Sequence, residues 1–390
     1  MKKLHVAFVG CLLILSAYTT AIAGDTVKPS AEKSEKPSTM SRTEVTGIIA
    51  NSRRIVSPNG VEELVKVPIG GIDQWLSIRG KDRRNPILLV LHGGPASPSM
   101  PADYTYQSPW EDYFTVVQWD QRGTGKTYAA NTEAQMAPGM TIEGMTDDAA
   151  KVVQYLQQHY GKQKIFLLGH SWGTVLGTRL AQQHPDWFYA YIGVGQVVNV
   201  RRNEEIGYDF ALRSAKASGN ATAIRELQAI APYPGTTPVT LQRLGVRSKW
   251  EMYYGGLTYG RQDYRFVSDA EELSPDYSEK DLDAIGKGSV FTIGHLMQPL
   301  LAVDFDNDVH FGCPVLLFVG QHDETTSHEL AEQWFGKLQA PSKHLVIFAD
   351  SAHMVMQEQL GRFLVHLVTD ALPLAAAAGD VSPTETVRNQ

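Results

Sequence analysis

"LLGHSWGTVLG", residues 167–177, decides the reading of this chain. A continuously apolar run, "KIFLLGH" (164–170), ends in Gly169-His170-Ser171-Trp172-Gly173, and a helical pattern over Thr174–Gln183 follows at once. G-x-S-x-G between a buried strand and a helix is the setting that a nucleophile elbow requires. The turn is so tight that the positions two before and two after the serine must be nearly free of side chain, which Gly169 and Gly173 satisfy. Gly177, one turn later, lets the helix lie close against a sheet. Ser171 would then stand at a helix N-terminus, where the macrodipole favours developing negative charge. Serine is also a favoured N-cap, so the motif needs partners before it means chemistry.

A serine hydroxyl is a poor nucleophile until a base takes its proton, and the base needs an acid to fix its tautomer. In this setting the partners follow in the order serine, acid, histidine, each in a loop after a strand. "PVLLFVGQHDETT" places Asp323 three residues beyond Gly320, and "HLVIFADSAHMV" places His353 after the last apolar run. His322 would share the loop of Asp323 rather than face it. Asp350 is close enough to His353 to shape its loop, and Asp120 lies upstream of the serine. The plain alternatives are a turn-forming aspartate and a buried structural histidine. The oxyanion would be held by the N–H of Trp172 and by one from "HGGPASP" (92–98), with Gly94 as the choice and Gly93 as the alternative. His92 reads as a partner that holds this loop.

Outward from the elbow, the chain alternates. Val61–Val67 and Trp75–Ile78 read as opening strands, followed by "PILLVLH" (86–92), "FTVVQWD" (114–120), "YAYIGVG" (189–195), "PVLLFVG" (314–320) and "HLVIFA" (344–349). Short apolar runs of this kind fit strands buried on both faces, and the helical pattern over Asp147–His159 fits the layers between them. The fold class is α/β, a mostly parallel central sheet flanked by helices. The rhythm stops over 199–305, where "NEEIGYDFALRSAKA" (203–217) is helical and "WEMYYGGLTY" (250–259) is aromatic. An insertion at that point would form a helical cap over the C-terminal edge of the sheet, where such folds bind ligands. The core is therefore expected over 45–198 and 306–370.

The ends read differently. Lys2 and Lys3, an apolar run from Val6 to Ala17 and "AIA" (21–23) make residues 1–23 a signal peptide, with cleavage before Gly24 and an exported, periplasmic or secreted product. A lipoprotein anchored through Cys11 is the alternative. The run is shorter than the roughly 18–20 residues of a membrane span, so no stable membrane insertion is expected after cleavage. Residues 24–44 are rich in Pro, Ser and Lys and read as a disordered linker, and residues 371–390 read as a flexible tail. Only Cys313 remains after cleavage, which leaves no intramolecular disulfide, and its place before an apolar run fits a buried thiol. A net charge of −7 leaves no basic footprint for nucleic acid.

"WDQRGTGKT" (119–127) ends like a phosphate-binding loop, but the glycine required five residues before Gly125 is Asp120, a carboxylate that repels phosphate. No metal cluster or dinucleotide fingerprint appears, so no cofactor is implied.

Taken together, "HGGP" (92–95), "WDQRGTGKT" (119–127), "GHSWG" (169–173), "GQHD" (320–323) and "SAH" (351–353) resemble the proline iminopeptidase branch of the α/β-hydrolases. The resemblance covers about 60–198 and 312–368. It implies an α/β-hydrolase fold with an inserted helical cap and a Ser171-Asp323-His353 triad. It also makes Asp120 and Arg122 loop-holding residues beside the active site. Ala96 stands where the family usually has glycine, which would alter the mouth near the oxyanion hole. Cap carboxylates of the family bind the free amino group of the substrate, and Glu204 and Glu205 are the candidates here. Solvated charges on a cap helix are the plain alternative. The functional expectation is a serine aminopeptidase acting on short peptides or other small molecules, with a carboxylesterase as the alternative. A silent binding fold would not need the triad. Epoxide hydrolases and dehalogenases need a carboxylate where Ser171 stands, whereas haloperoxidase-like chemistry would use the same triad. Oligomeric state is not legible in the sequence.

Overall fold

A computed structural model describes residues 40–236 and 238–383. The expected signal peptide with Cys11, residues 24–39 of the expected linker and residues 384–390 of the expected tail lie outside the described residues. The apolar runs become one eight-stranded sheet. In chain order its strands are β1 (Val61–Ile69), β2 (Ile72–Gly80), β3 (Ile87–Leu91), β4 (Thr115–Asp120), β5 (Ile165–His170), β6 (Phe188–Val194), β7 (Val315–Gly320) and β8 (Lys343–Phe348). Their spatial order is β1-β2-β4-β3-β5-β6-β7-β8. β1 and β2 pair antiparallel, β2 pairs antiparallel with β4, and every later pairing is parallel.

Burial follows position in this order. Every residue of β3, β4, β5 and β7 is buried, as central strands covered on both faces must be. The edge strands β1 and β8 mix buried and exposed residues. Alternate side chains feed two apolar layers. Leu89, Leu91 and Leu167 pack beneath the helices Ile142–Tyr160 and Trp172–Gln183. Leu88, Val90, Phe166 and Leu168 face Phe363, Leu367, Ala371 and Ala375 on the other side.

β3 is flanked by β4 on one side and β5 on the other. Chain direction across the sheet therefore reverses there, which opens a crevice at the C-terminal strand ends. The loops after β3 and β5, holding "HGGP" and the elbow, emerge side by side at this point.

Between β6 and β7 stand five helices, Val200–Ala217, Ala221–Ala229, Leu241–Tyr253, Arg265–Glu272 and Glu279–Leu300. Tyr208, Ala211, Leu227, Leu244 and Trp250 form part of an apolar centre within them. The two ends of the insertion meet at its base, where Val200 N–H donates to Val303 O at 3.1 Å and Phe305 N–H to Val198 O at 2.7 Å.

Two expectations about the chain ends are corrected. The stretch read as linker ends in structure, because Ser41 caps a helix over Arg42–Ser52 through a reciprocal capping box with Glu44. Arg42 then donates to the carbonyls of Glu272, Ser274 and Tyr277, tying this helix to the insertion. The stretch read as a flexible tail is docked as far as it is described. Ala371 and Ala375 are fully buried, and Asp380 accepts from Tyr189 Oη at 3.2 Å and pairs with Lys162. Small side chains let this segment lie flat on the sheet, so its low complexity reflects close packing.

Candidate active site

The strand-turn-helix at 165–183 forces an unusual backbone on Ser171, with φ 53° and ψ −120°. A non-glycine residue with positive φ is costly and marks a site where surrounding structure imposes the conformation. The flanking glycines are steric requirements. A Cβ at Gly169 would sit 2.6 Å from Gly173 O, and one at Gly173 would sit 2.0 Å from Leu91 O. Ser171 Oγ makes no capping bond, so the N-cap alternative does not describe it.

Asp323 is fully buried at the end of β7. Its Oδ1 accepts from the N–H groups of Thr325 (3.0 Å) and Thr326 (2.9 Å). Its Oδ2 accepts from Thr326 Oγ1 at 3.0 Å and from His353 Nδ1 at 2.8 Å. An ionised carboxylate only accepts, so the proton of neutral His353 is on Nδ1 and Nε2 is left as a base. Burial pulls the His353 pKa down, but the charge and hydrogen bond of Asp323, with Glu251 and Glu358 adding, raise it above the usual histidine value. His170 Nε2 donates to His353 O at 3.0 Å, and His353 N–H donates to Leu257 O of the insertion at 3.0 Å. The histidine loop is thus held from two sides.

Two hollows share Ser171, Gly94 and Thr325 in their walls. The first, about 740 Å³ including the part open to solvent, is also lined by His353, Leu257, Val267, Met354 and Glu271. The second is lined by Trp172, Val200, Glu204, Leu244 and Arg247. The Trp172 N–H opens its helix, where no intrahelical acceptor exists for it. Gly94 has φ +117°, and an added Cβ there would collide with Ala96 N at 2.4 Å. Ala96 is buried at φ 71° and lines neither hollow.

Glu204 and Glu205 part company. Glu204 faces the second hollow, where Tyr233 Oη donates to it and Arg247 Nε lies 3.5 Å away. Glu205 is exposed and lines neither hollow, which corrects its candidacy. The sequence reading missed Glu251, which is buried, pairs with Arg247 and accepts from Thr325 Oγ1. Its spacing of four from Arg247 on a helix was the available signal. Burial raises the pKa of Glu251, against the pull of Arg247 and Thr325.

The loop after β4 holds the site together. Gln121 accepts from Trp172 Nε1 at 2.9 Å and donates through Nε2 to His92 O at 3.2 Å. His92 donates from Nδ1 to Gly93 O at 2.8 Å and accepts from Gln121 N–H at Nε2. Its burial pushes the pKa down to about 4, which keeps the ring neutral in this role. Asp120 accepts from Lys126 N–H at 2.7 Å and from Tyr277 Oη, so "GTGKT" closes on a carboxylate where a phosphate loop would close on phosphate. Arg122 pairs with buried Asp148 at 2.8 Å and donates to Gly70 O at 2.8 Å. Arg122→Met would leave Asp148 buried without its cation. We expect it to lower stability by about 3–5 kcal/mol, read from denaturant midpoints. A loss below about 1 kcal/mol would show that water reaches Asp148.

Comparison with known proteins agrees with this architecture. The family model for the α/β hydrolase fold matches residues 86–359. The probable aminopeptidase YbaC of Bacillus subtilis is 34% identical over 291 residues, covering 74% of this chain and 89% of that protein. A probable proline iminopeptidase of Streptomyces coelicolor is 36% identical over a shorter stretch, 25% of this chain and 28% of that one. Among solved structures, a proline iminopeptidase-related protein of Thermus thermophilus superposes with a TM-score of 0.55 at 21% identity, covering 80% of this chain and 99% of its own. At that identity the superposition speaks for the fold. With sequence relatives and architecture in agreement, the chain belongs to the α/β-hydrolase fold family and is similar to relatives named aminopeptidase and proline iminopeptidase.

Proposed function

We propose that the chain is a serine hydrolase that works through an acyl-enzyme, and that it is an aminopeptidase of the proline iminopeptidase type. Ser171 Oγ attacks the carbonyl carbon of the first peptide bond while His353 Nε2 takes its proton. Asp323 holds the imidazole in the required tautomer. The N–H groups of Trp172 and Gly94 receive the charge that develops on the carbonyl oxygen. His353 then gives the proton to the departing nitrogen, the C–N bond breaks, and the acyl group stays on Ser171. Water, activated by the same histidine, releases it. The names of the relatives, aminopeptidase and proline iminopeptidase, support this class of substrate.

One observation favours the peptidase over the esterase. Glu204, on the wall of the hollow beyond Trp172, and the buried Glu251 share one guanidinium, that of Arg247. Two carboxylates and one cation leave room for a second positive charge, and the free amino group of a peptide supplies it. Glu204→Gln should therefore lower kcat/KM for prolyl-naphthylamide by roughly 10- to 150-fold, the worth of a charge-assisted hydrogen bond. A neutral p-nitrophenyl ester should lose several-fold less. Equal losses on both substrates would assign Glu204 to folding of the cap, and cleavage of N-blocked prolyl substrates at the free-amine rate would remove the aminopeptidase reading.

A further inference from the structure

The hollow on the His353 side ends in a carboxyl that the protein leaves unanswered. Glu271 lies in the cap helix Arg265–Glu272, is 7% exposed and lines the hollow. Among the described residues nothing donates a hydrogen bond to its carboxyl and no cation pairs with it. The surrounding wall is mostly apolar, with Val90, Ala102, Leu257, Val267, Met354 and Met356, and it also carries the polar groups of Tyr264 and Gln357. Burial pushes its pKa up to about 8, and the neighbouring charge that acts on it is another acid, Glu272. A buried polar group without a partner is costly and calls for an explanation. Here it faces the cavity that holds Ser171, where an incoming molecule can complete it.

We propose that this hollow is the leaving-group subsite and that Glu271 selects a leaving group carrying a cation on an aliphatic stem, a lysine-like residue after the scissile bond. The assignment of sides rests on the proposed function. His353 lines this hollow and gives its proton to the departing nitrogen, whereas the hollow beyond Trp172 is lined by Glu204, the carboxylate proposed for the amino terminus. The apolar wall suits a methylene stem, and long cationic side chains lay their stems on such surfaces while the charged end seeks a partner. An ammonium reaching Glu271 keeps the carboxylate ionised, and the pair replaces an isolated buried group with a charge-assisted bond.

Two matched pairs of substrates test this. Prolyl-lysine and prolyl-norleucine share the acyl group and differ by the terminal ammonium; 6-aminohexyl acetate and hexyl acetate repeat the contrast on an ester. We expect kcat/KM to favour the cationic member of each pair by roughly 10- to 150-fold. In Glu271→Gln that ratio should fall towards one, and thermal melting establishes that the variant is folded. The wild-type ratios decide the question even if the variant does not fold. If the dipeptides are not cleaved but the aminohexyl ester keeps its advantage, the aminopeptidase reading fails and the subsite stands. Dipeptide cleavage at equal rates leaves the aminopeptidase and overturns the subsite. A norleucine preference, a ratio unchanged in folded Glu271→Gln, or no turnover of any of the four also overturns it.

Discussion

Ser171→Ala is expected to lower kcat/KM by roughly 10⁴-fold or more, since triad enzymes stripped of their nucleophile keep only the catalysis due to binding and the oxyanion site. Stability should change by less than about 0.5 kcal/mol. The hydroxyl makes no capping bond, and alanine tolerates the backbone that serine already adopts at φ 53°. Its removal therefore leaves no buried partner unpaired. A folded variant that turns over near the wild-type rate would move the nucleophile elsewhere. Stoichiometric labelling by an organophosphonate, lost in the same variant, provides an independent reading.

Asp323→Asn should cost about as much, roughly 10⁴-fold in kcat, without changing the shape of the site. Asp323 Oδ1 accepts two backbone N–H groups, and an asparagine carbonyl oxygen can keep both. Its NH₂ then falls where Oδ2 receives His353 Nδ1. Two donors cannot share that bond, so His353 must carry its proton on Nε2 and present N–H to the serine. The pH profile separates this from a folding defect. As the proposed base, His353 acts when neutral, so activity should fall as pH drops through its pKa, which Asp323 holds up. With that charge gone the pKa falls, and the acid limb of the residual activity should move to lower pH. The limb staying in place would mean that another group controls it. Combined with Ser171→Ala, the second loss should be far from additive, because in the proposed mechanism the residues act as one unit.

The fold was readable because its central strands are buried on both faces and appear as unbroken apolar runs. The elbow was readable because a turn this tight admits almost no residue but glycine on either side. Other features depended on phase or distance. Glu204 and Glu205 differ by about 100° around a helix. Tyr208, Ala211 and Ala215 mark the inward stripe that distinguishes them, and the pattern was available but unused. Glu251 and Glu271 come from helices far along the chain; the spacing from Arg247 is the one local sign at Glu251, and no local pattern separates Glu271 from a solvated glutamate. At the N-terminus, composition obscured a capping box, since Ser41 and Glu44 lie at the end of a stretch rich in Pro, Ser and Lys. The aspartate's companions were nearer. Thr325 and Thr326 directly follow it, and short hydroxyl residues after an aspartate are apt to fold back on it.

The main-chain bond from His353 to Leu257, with its neighbour from Glu324 N–H to Gly256 O at 3.0 Å, gives the insertion a second role. Its loop serves as a mould for the loops after β7 and β8. A gene for this enzyme is therefore not freely divisible at residues 199 and 305. A foreign cap grafted there would need carbonyls at both places, or the base would lose its seat even with every catalytic side chain present. Recombination among relatives should spare this junction, and cap and core should be inherited as one piece.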